Sequence, residues 1–248
     1  LVSPSQEASK QKENPLNILM QRILIMGDSW ADWRIPQIHG IDRKNDEHHI
    51  TGKLKKIGYS VTNCSQMGNS NIMALRSAEQ AVAKEQFDWL IWFHTEVFRD
   101  SHMYDSDKPF RLMEMAKELA EKQYQQFEQF RSNNNLKAIV IGGQAPVFPF
   151  VRDYIKIEML IDDWRSEIMN IKFPFCHILS LNEFADILQK DTCLDSPRER
   201  IKMLGEVEII FNMCDKRRDL FPDSGHPGEK SHKQLADRIH DFIITQES

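Results

Sequence analysis

No apolar stretch in the 248-residue chain approaches the ~20 residues that a membrane-spanning helix needs, which argues against insertion in a bilayer. The N-terminus lacks the charged-then-apolar order of a secretory signal, so export by that route is not expected. Cysteine is sparse. The four residues Cys64, Cys176, Cys193 and Cys214 form no C-x-x-C pair and no zinc-finger spacing, which excludes a disulfide framework or structural zinc as the organising device. They read as reduced, mostly buried thiols. Basic blocks are also missing, and with a formal net charge of −5 the chain offers no footprint for a nucleic-acid backbone. Nor is there an internal repeat or a long linker, and 41% hydrophobic residues can bury one substantial core, so a single α/β domain is expected.

What is present begins with Ile23-Leu24-Ile25-Met26-Gly27-Asp28-Ser29, an apolar run that stops at a glycine, an acid and a serine. A strand buried in a parallel sheet reads as such a run, and open α/β sheets place their chemistry at its carboxyl end. Residues 1–19 are rich in Ser, Gln, Lys, Glu and Pro, read as a polar, disordered leader, with Met20 a candidate natural start. The domain is expected over 20–248.

Further strands are predicted at Tyr59–Asn63, Phe87–Phe93, Leu136–Ile141 and Phe175–Leu179. Between them lie a helix capped by Asp46 and ending near Gly58, one capped by Asn71, and a long amphipathic helix from Leu112 through Phe130. A helix carrying Ile157, Leu160, Ile161, Trp164 and Ile168 follows. Shorter helices are expected near Asn182–Leu188 and Pro197–Met213, and a terminal one bears Leu235, Ile239, Phe242 and Ile243. Strands alternating with helix-sized connections imply a parallel sheet covered on both faces.

Ser29 is a candidate nucleophile. A hydroxyl is unreactive alone and needs a base, a group to orient that base, and donors for an oxyanion. Asp223-Ser224-Gly225-His226 offers the first two near the other end of the chain. Ser65 to Asn71, with Gly68 and Asn69, sits between a strand and a helix N-terminus, where backbone N–H groups can face an anion. Trp30 and Trp33 either wall a pocket, where they could stack on a sugar ring, or pack as loop anchors. His48 and His49 read as solvated residues of a first helical turn.

These residues resemble the SGNH hydrolases, also called GDSL-type esterases. Gly27-Asp28-Ser29 matches the family's first block, Gly68 the glycine of its second, and Asp223-Ser224-Gly225-His226 its last. The resemblance implies a three-layer α/β/α sandwich with a flavodoxin-like parallel five-stranded sheet of order 2-1-3-4-5. It implies ester hydrolysis through an acyl-enzyme, with no cofactor and no metal. Ser29 would attack, His226 would carry the proton, Asp223 would hold the imidazole, and the N–H groups of Ser29 and Gly68, with Asn69 beside them, would meet the oxyanion. The substrate expected is a small-molecule or glycan ester, acetyl or acyl, with no nucleic acid and no membrane as partner.

The third block departs from the pattern. Where the family has Gly-x-Asn-Asp, this chain reads His94-Thr95-Glu96-Val97, which puts Glu96 in the place of an amide donor. An ionised carboxylate has no proton to offer, and losing one such donor costs on the order of 10²–10³ in rate. Glu96 is therefore expected in the pocket with His94 as a substrate-side neighbour, either paired with His94, His102 or Arg99 or kept protonated by burial. The departure keeps open a second reading, a catalytically weak binding or structural module such as one in a phage particle. A third is a metal-dependent hydrolase built from Asp28, His94, Glu96, Asp223 and His226. Location is expected to be cytoplasmic, or virion-associated if the chain is phage-encoded.

Overall fold

The structure is a computed structural model, and it describes residues 21–31, 46–103, 112–143, 145–169, 217, 219–220 and 226–246. Five strands form one parallel sheet: β1 (Arg22–Met26), β2 (Ser60–Asn63), β3 (Trp89–His94), β4 (Lys137–Gly142) and β5 (Met159–Ile161), in the order β2-β1-β3-β4-β5. The strand order 2-1-3-4-5 that the resemblance implies matches the sheet. The described helices are α1 (Ile50–Ile57), α2 (Asn71–Val82), α3 (Leu112–Asn133), α4 (Trp164–Met169) and α5 (Glu229–Gln246). None of them is long and apolar enough to cross a membrane.

The central strand shows how the layers arise. All six residues of β3 are buried. Successive side chains alternate faces, so Trp89 and Trp92, three apart, point to opposite sides. Trp92 stacks on Phe127 of α3 with ring centroids 4.4 Å apart, whereas Trp89 meets the edge of Phe242 on α5 at 6.0 Å. One side therefore carries α3 with α2 against it. The other carries α5 packed on α1 and on α4, where Trp164 lies edge-on to His232 at 5.4 Å.

Three local expectations change, and others fall on residues that are not described. The fifth strand is Met159–Ile161, inside the stretch predicted as a helix, and helix begins only at Trp164. The strand predicted at Phe175–Leu179 and the helices near Asn182–Leu188 and Pro197–Met213 lie outside the described residues. The first helix starts at Ile50 rather than after Asp46, which belongs to a 3-10 turn spanning Asp46–His48. The cap of α2 is Ser70, whose hydroxyl accepts the Met73 N–H at 3.1 Å, not Asn71.

His48 and His49 are not simply solvated. His48 Nδ1 lies 2.8 Å from Glu229 Oε2 on α5, and the His49 ring meets His232 edge-on at 5.9 Å. Of the cysteines, Cys64 is described. It is a free thiol that donates to the Ile25 carbonyl at 3.2 Å, and burial pushes it up to about 12, so it is an inert packing residue.

Candidate active site

Parallel strands bring their carboxyl ends to one edge, and there the loops after β1, β2 and β3 converge. The convergence requires glycine at position 27. Its φ is +150°, and a Cβ would stand 2.7 Å from Phe93 Cβ and 2.8 Å from the Phe93 carbonyl oxygen. With no side chain there, β1 leaves the sheet pressed against the end of β3. Asp28 then meets Thr95, and Ser29 sits in the tight turn that follows.

That turn is held from several directions. Asp28 Oδ1 accepts the Trp30 N–H at 3.0 Å, and the Ala31 N–H closes onto the Asp28 carbonyl at 3.1 Å. From β2, Asn63 Nδ2 donates to the Ala31 carbonyl at 3.0 Å and to Thr51 Oγ1 at 2.8 Å. Ser29 itself is buried, and its Oγ lies 3.0 Å from His226 Nε2 at the approach to α5. This is hydrogen-bond geometry for a hydroxyl and the ring nitrogen that would take its proton. Asp223 and Trp33 lie outside the described residues.

The other predicted residues divide. Gly68 is exposed in the turn after β2, and that turn is hung on the serine loop. The Gln66 N–H donates to the Gly27 carbonyl at 3.3 Å, and Asn69 Nδ2 approaches the same oxygen at 3.4 Å. The backbone N–H of Asn69 is spent inside the turn on the Gln66 carbonyl at 3.1 Å, so it is not an oxyanion donor as arranged.

Trp30 takes the loop-anchor alternative. It is fully buried, edge-on to Trp164 at 5.7 Å and covered by the Arg165 guanidinium at 4.8 Å, so its ring offers no face to a sugar. His94 is likewise buried, between Trp92 and Tyr124, with Nδ1 3.4 Å from the Ala145 carbonyl. Burial lowers it to about 4, so it is a neutral core imidazole rather than a substrate contact or a cation for Glu96.

Glu96 is completely buried, and its cation is Arg99, with Nε 2.7 Å from Oε2. Arg99 Nη1 also reaches the Asn69 carbonyl at 2.9 Å and stands 3.5 Å from Asp28 Oδ2. One guanidinium thus ties together the loops that follow β1, β2 and β3. Sequence reasoning had Arg99 as one of three cations. The i,i+3 spacing from Glu96 was the available signal.

Missed altogether was the scaffold under Thr95. Asn71 grips that residue's backbone at both ends, Oδ1 accepting its N–H at 3.0 Å and Nδ2 donating to its carbonyl at 2.9 Å. Asn71 Nδ2 also donates to Gln123 Oε1 at 3.0 Å. Gln123 Nε2 donates in turn to Asp100 Oδ2 at 2.8 Å and approaches the Val97 carbonyl at 3.2 Å. Buried amides so fully engaged hold a loop in one conformation.

Burial pushes Asp28 up to about 6 from its ordinary 3.8, the Glu96 charge adding to the rise while Arg99 and the Trp30 and Thr95 hydrogen bonds oppose it. An acid raised in this way binds its proton more tightly folded than unfolded. Its stabilising contribution is therefore complete below about pH 3.8 and is lost as pH rises through about 6. At ~1.4 kcal/mol per unit the loss is about 3 kcal/mol. An Asp28→Asn variant should accordingly show a flatter stability profile over this range by chemical denaturation. Parallel profiles for variant and parent would refute the assignment.

Of the five residues in the metal reading, Asp28, His94, Glu96 and His226 are described and Asp223 is not. Among the described residues, no three His, Cys, Asp or Glu side chains are grouped to hold an ion.

No protein-family model matches the chain, and neither does any curated protein sequence. Among solved structures it is similar to several. One is TesA, at 13% identity and a TM-score of 0.48, covering 90% of this chain and 98% of that one. Another is the psychrotrophic esterase EstA from Pseudoalteromonas sp., at 14% identity and 0.46, covering 91% and 98%. A third is the acetyl xylan esterase AlAXEase, at 16% and 0.43, covering 90% and 99%. At these identities nothing about the chemistry of Ser29 transfers from them.

Proposed function

We propose that the chain is a serine ester hydrolase that works through an acyl-enzyme on small polar esters, such as an acylated or acetylated carbohydrate. The observation that carries the reading is the 3.0 Å approach of His226 Nε2 to Ser29 Oγ at the carboxyl edge of the sheet. Ser29 attacks the ester carbonyl as His226 accepts its proton, and His226 returns that proton to the leaving alcohol. Water, deprotonated by the same imidazole, then releases the acid. Asp223 is assigned to the other ring nitrogen. The oxyanion is assigned to the Ser29 and Gly68 N–H groups.

One observation favours the alternative of a binding module. Glu96 supplies acceptors where an amide donor is expected, and the Asn69 N–H is already engaged. Labelling by a fluorophosphonate decides between the two. The hydrolase reading requires adduct formation at Ser29, lost in Ser29→Ala, together with turnover of a small activated ester. An unlabelled, inactive but folded protein would favour the module.

A further inference from the structure

Thr95 stands between two acids. Its Oγ1 lies 2.8 Å from Asp28 Oδ2 and 2.5 Å from Glu96 Oε2. A hydroxyl has one hydrogen and can donate to one of these oxygens only. The other contact is a hydrogen bond only if the acid brings a proton to the hydroxyl's lone pair. Charge gives the same answer. Asp28 and Glu96 are both fully buried, and among the described residues Arg99 is the one cation acting on Asp28, so two ionised acids would leave a buried negative charge uncompensated. Glu96 Oε1, also buried, has no hydrogen-bond partner among the described residues, which suits a neutral acid better than a carboxylate.

We propose that Asp28 and Glu96 hold a single proton between them across the Thr95 hydroxyl, and that Glu96 is through this proton a positioning residue for Ser29. The sharing acid Asp28 is also the one that fixes the serine turn through the Trp30 N–H. Arg99 extends the unit to the Gly68 turn through the Asn69 carbonyl. While the proton is present, the group beneath the nucleophile is neutral. When it leaves, a net negative charge stands beside the position where a substrate carbonyl must become an oxyanion.

Among the described residues, the neighbouring groups do not supply a substitute charge. The α2 and α3 helices contribute the neutral amides Asn71 and Gln123. Asp100 Oδ2 is turned to the Ile72 N–H and Gln123, His94 faces the Ala145 carbonyl, and His226 faces Ser29.

The kinetic half of the proposal rests on the hydrolase reading, whereas the proton itself does not. Infrared titration of the full chain from about pH 4 to about pH 8 should show the carbonyl stretch of one buried carboxylic acid, disappearing with a midpoint near 6. Asp28→Asn should abolish that transition and Glu96→Gln should move its midpoint down, because either leaves one acid opposite Arg99 and burial goes on raising an Asp28 that remains. Absence of the band in the parent, or its persistence with the same midpoint in either variant, would overturn the shared proton. Should Glu96→Gln fail to fold, Thr95→Val must shift the midpoint, and an unchanged midpoint counts against the bridge. For a small activated ester, kcat/KM of Glu96→Gln relative to the parent should rise about tenfold through the transition. A flat ratio would overturn the positioning role. If neither protein turns over, the infrared result still decides the proton, and it is the hydrolase reading that fails.

Discussion

Exchanging His226 for alanine is expected to lower kcat on a small activated ester by about four orders of magnitude or more while leaving the fold and KM nearly unchanged. Among the described residues no other imidazole is placed on Ser29 Oγ, which lies 3.0 Å from His226 Nε2: His94 is neutral and committed to the core, and His232 is fully buried with its ring edge-on to Trp164 and His49. Ser29→Ala should cost as much. The double variant should cost no more than either single one, since a nucleophile and its base act as a unit. Steady-state kinetics and the rate of fluorophosphonate labelling report this directly. If His226→Ala retained activity within tenfold of the parent, the 3.0 Å contact would be structural and the proton would leave by another route.

The largest stability effect is expected at Gly142, the last residue of β4. A Cβ there would lie 1.9 Å from the Asp162 carbonyl oxygen, 2.7 Å from its carbonyl carbon and 3.1 Å from Pro146 Cα, all of them backbone atoms. No rotamer change relieves such a collision. Relief would mean moving the turn between β5 and α4, whose Asp162 carbonyl already accepts the Val147 N–H at 2.8 Å. Gly142→Ala should therefore destabilise the chain by more than about 4 kcal/mol. Gly143→Ala is the control, because its nearest contact is the His94 carbonyl oxygen at 3.2 Å, which a small shift accommodates. Equal denaturation midpoints for the two variants would show that the turn yields freely and would refute the steric argument.

The sequence made some elements legible and hid others for physical reasons. β1 announced itself because both its faces are covered, so it has no polar side to interrupt Ile23 to Met26. β5 was hidden. It has only three residues, too few to show a period of two, while Ile157, Leu160, Ile161 and Trp164 fall on a helical spacing that the chain does not use. Ser70 and Asn71 are both capping residues. What separates them is the Thr95 backbone 24 positions away, which only tertiary structure brings to Asn71.

At the site, the chain's own letters singled out Ser29 and His226, whereas the oddity of Glu96 came from the family resemblance. Arg99 was one of three candidate cations for Glu96, and the structure pairs the two at i,i+3. The Thr95 hydroxyl was invisible as a bridge, because nothing local says that the residue preceding Glu96 will also face Asp28. Gln123 left a faint trace, a long polar residue on the buried face of α3 between Ala120 and Phe127, which in an amphipathic helix asks for a buried partner.

The 197 positions between Ser29 and His226 also set an order of events during synthesis. A ribosome delivers all five strands of the sheet before it delivers α5, and domains tend to form as their parts emerge. The helix that follows the base is then fastened from outside, Glu229 meeting Lys53 at 2.5 Å and His48 at 2.8 Å, while His240 meets the Tyr59 hydroxyl at 2.9 Å. Until those contacts close, the growing polypeptide carries a hydroxyl with nothing to deprotonate it. With Ser29 as the nucleophile proposed above, its reactivity would wait on the docking of α5.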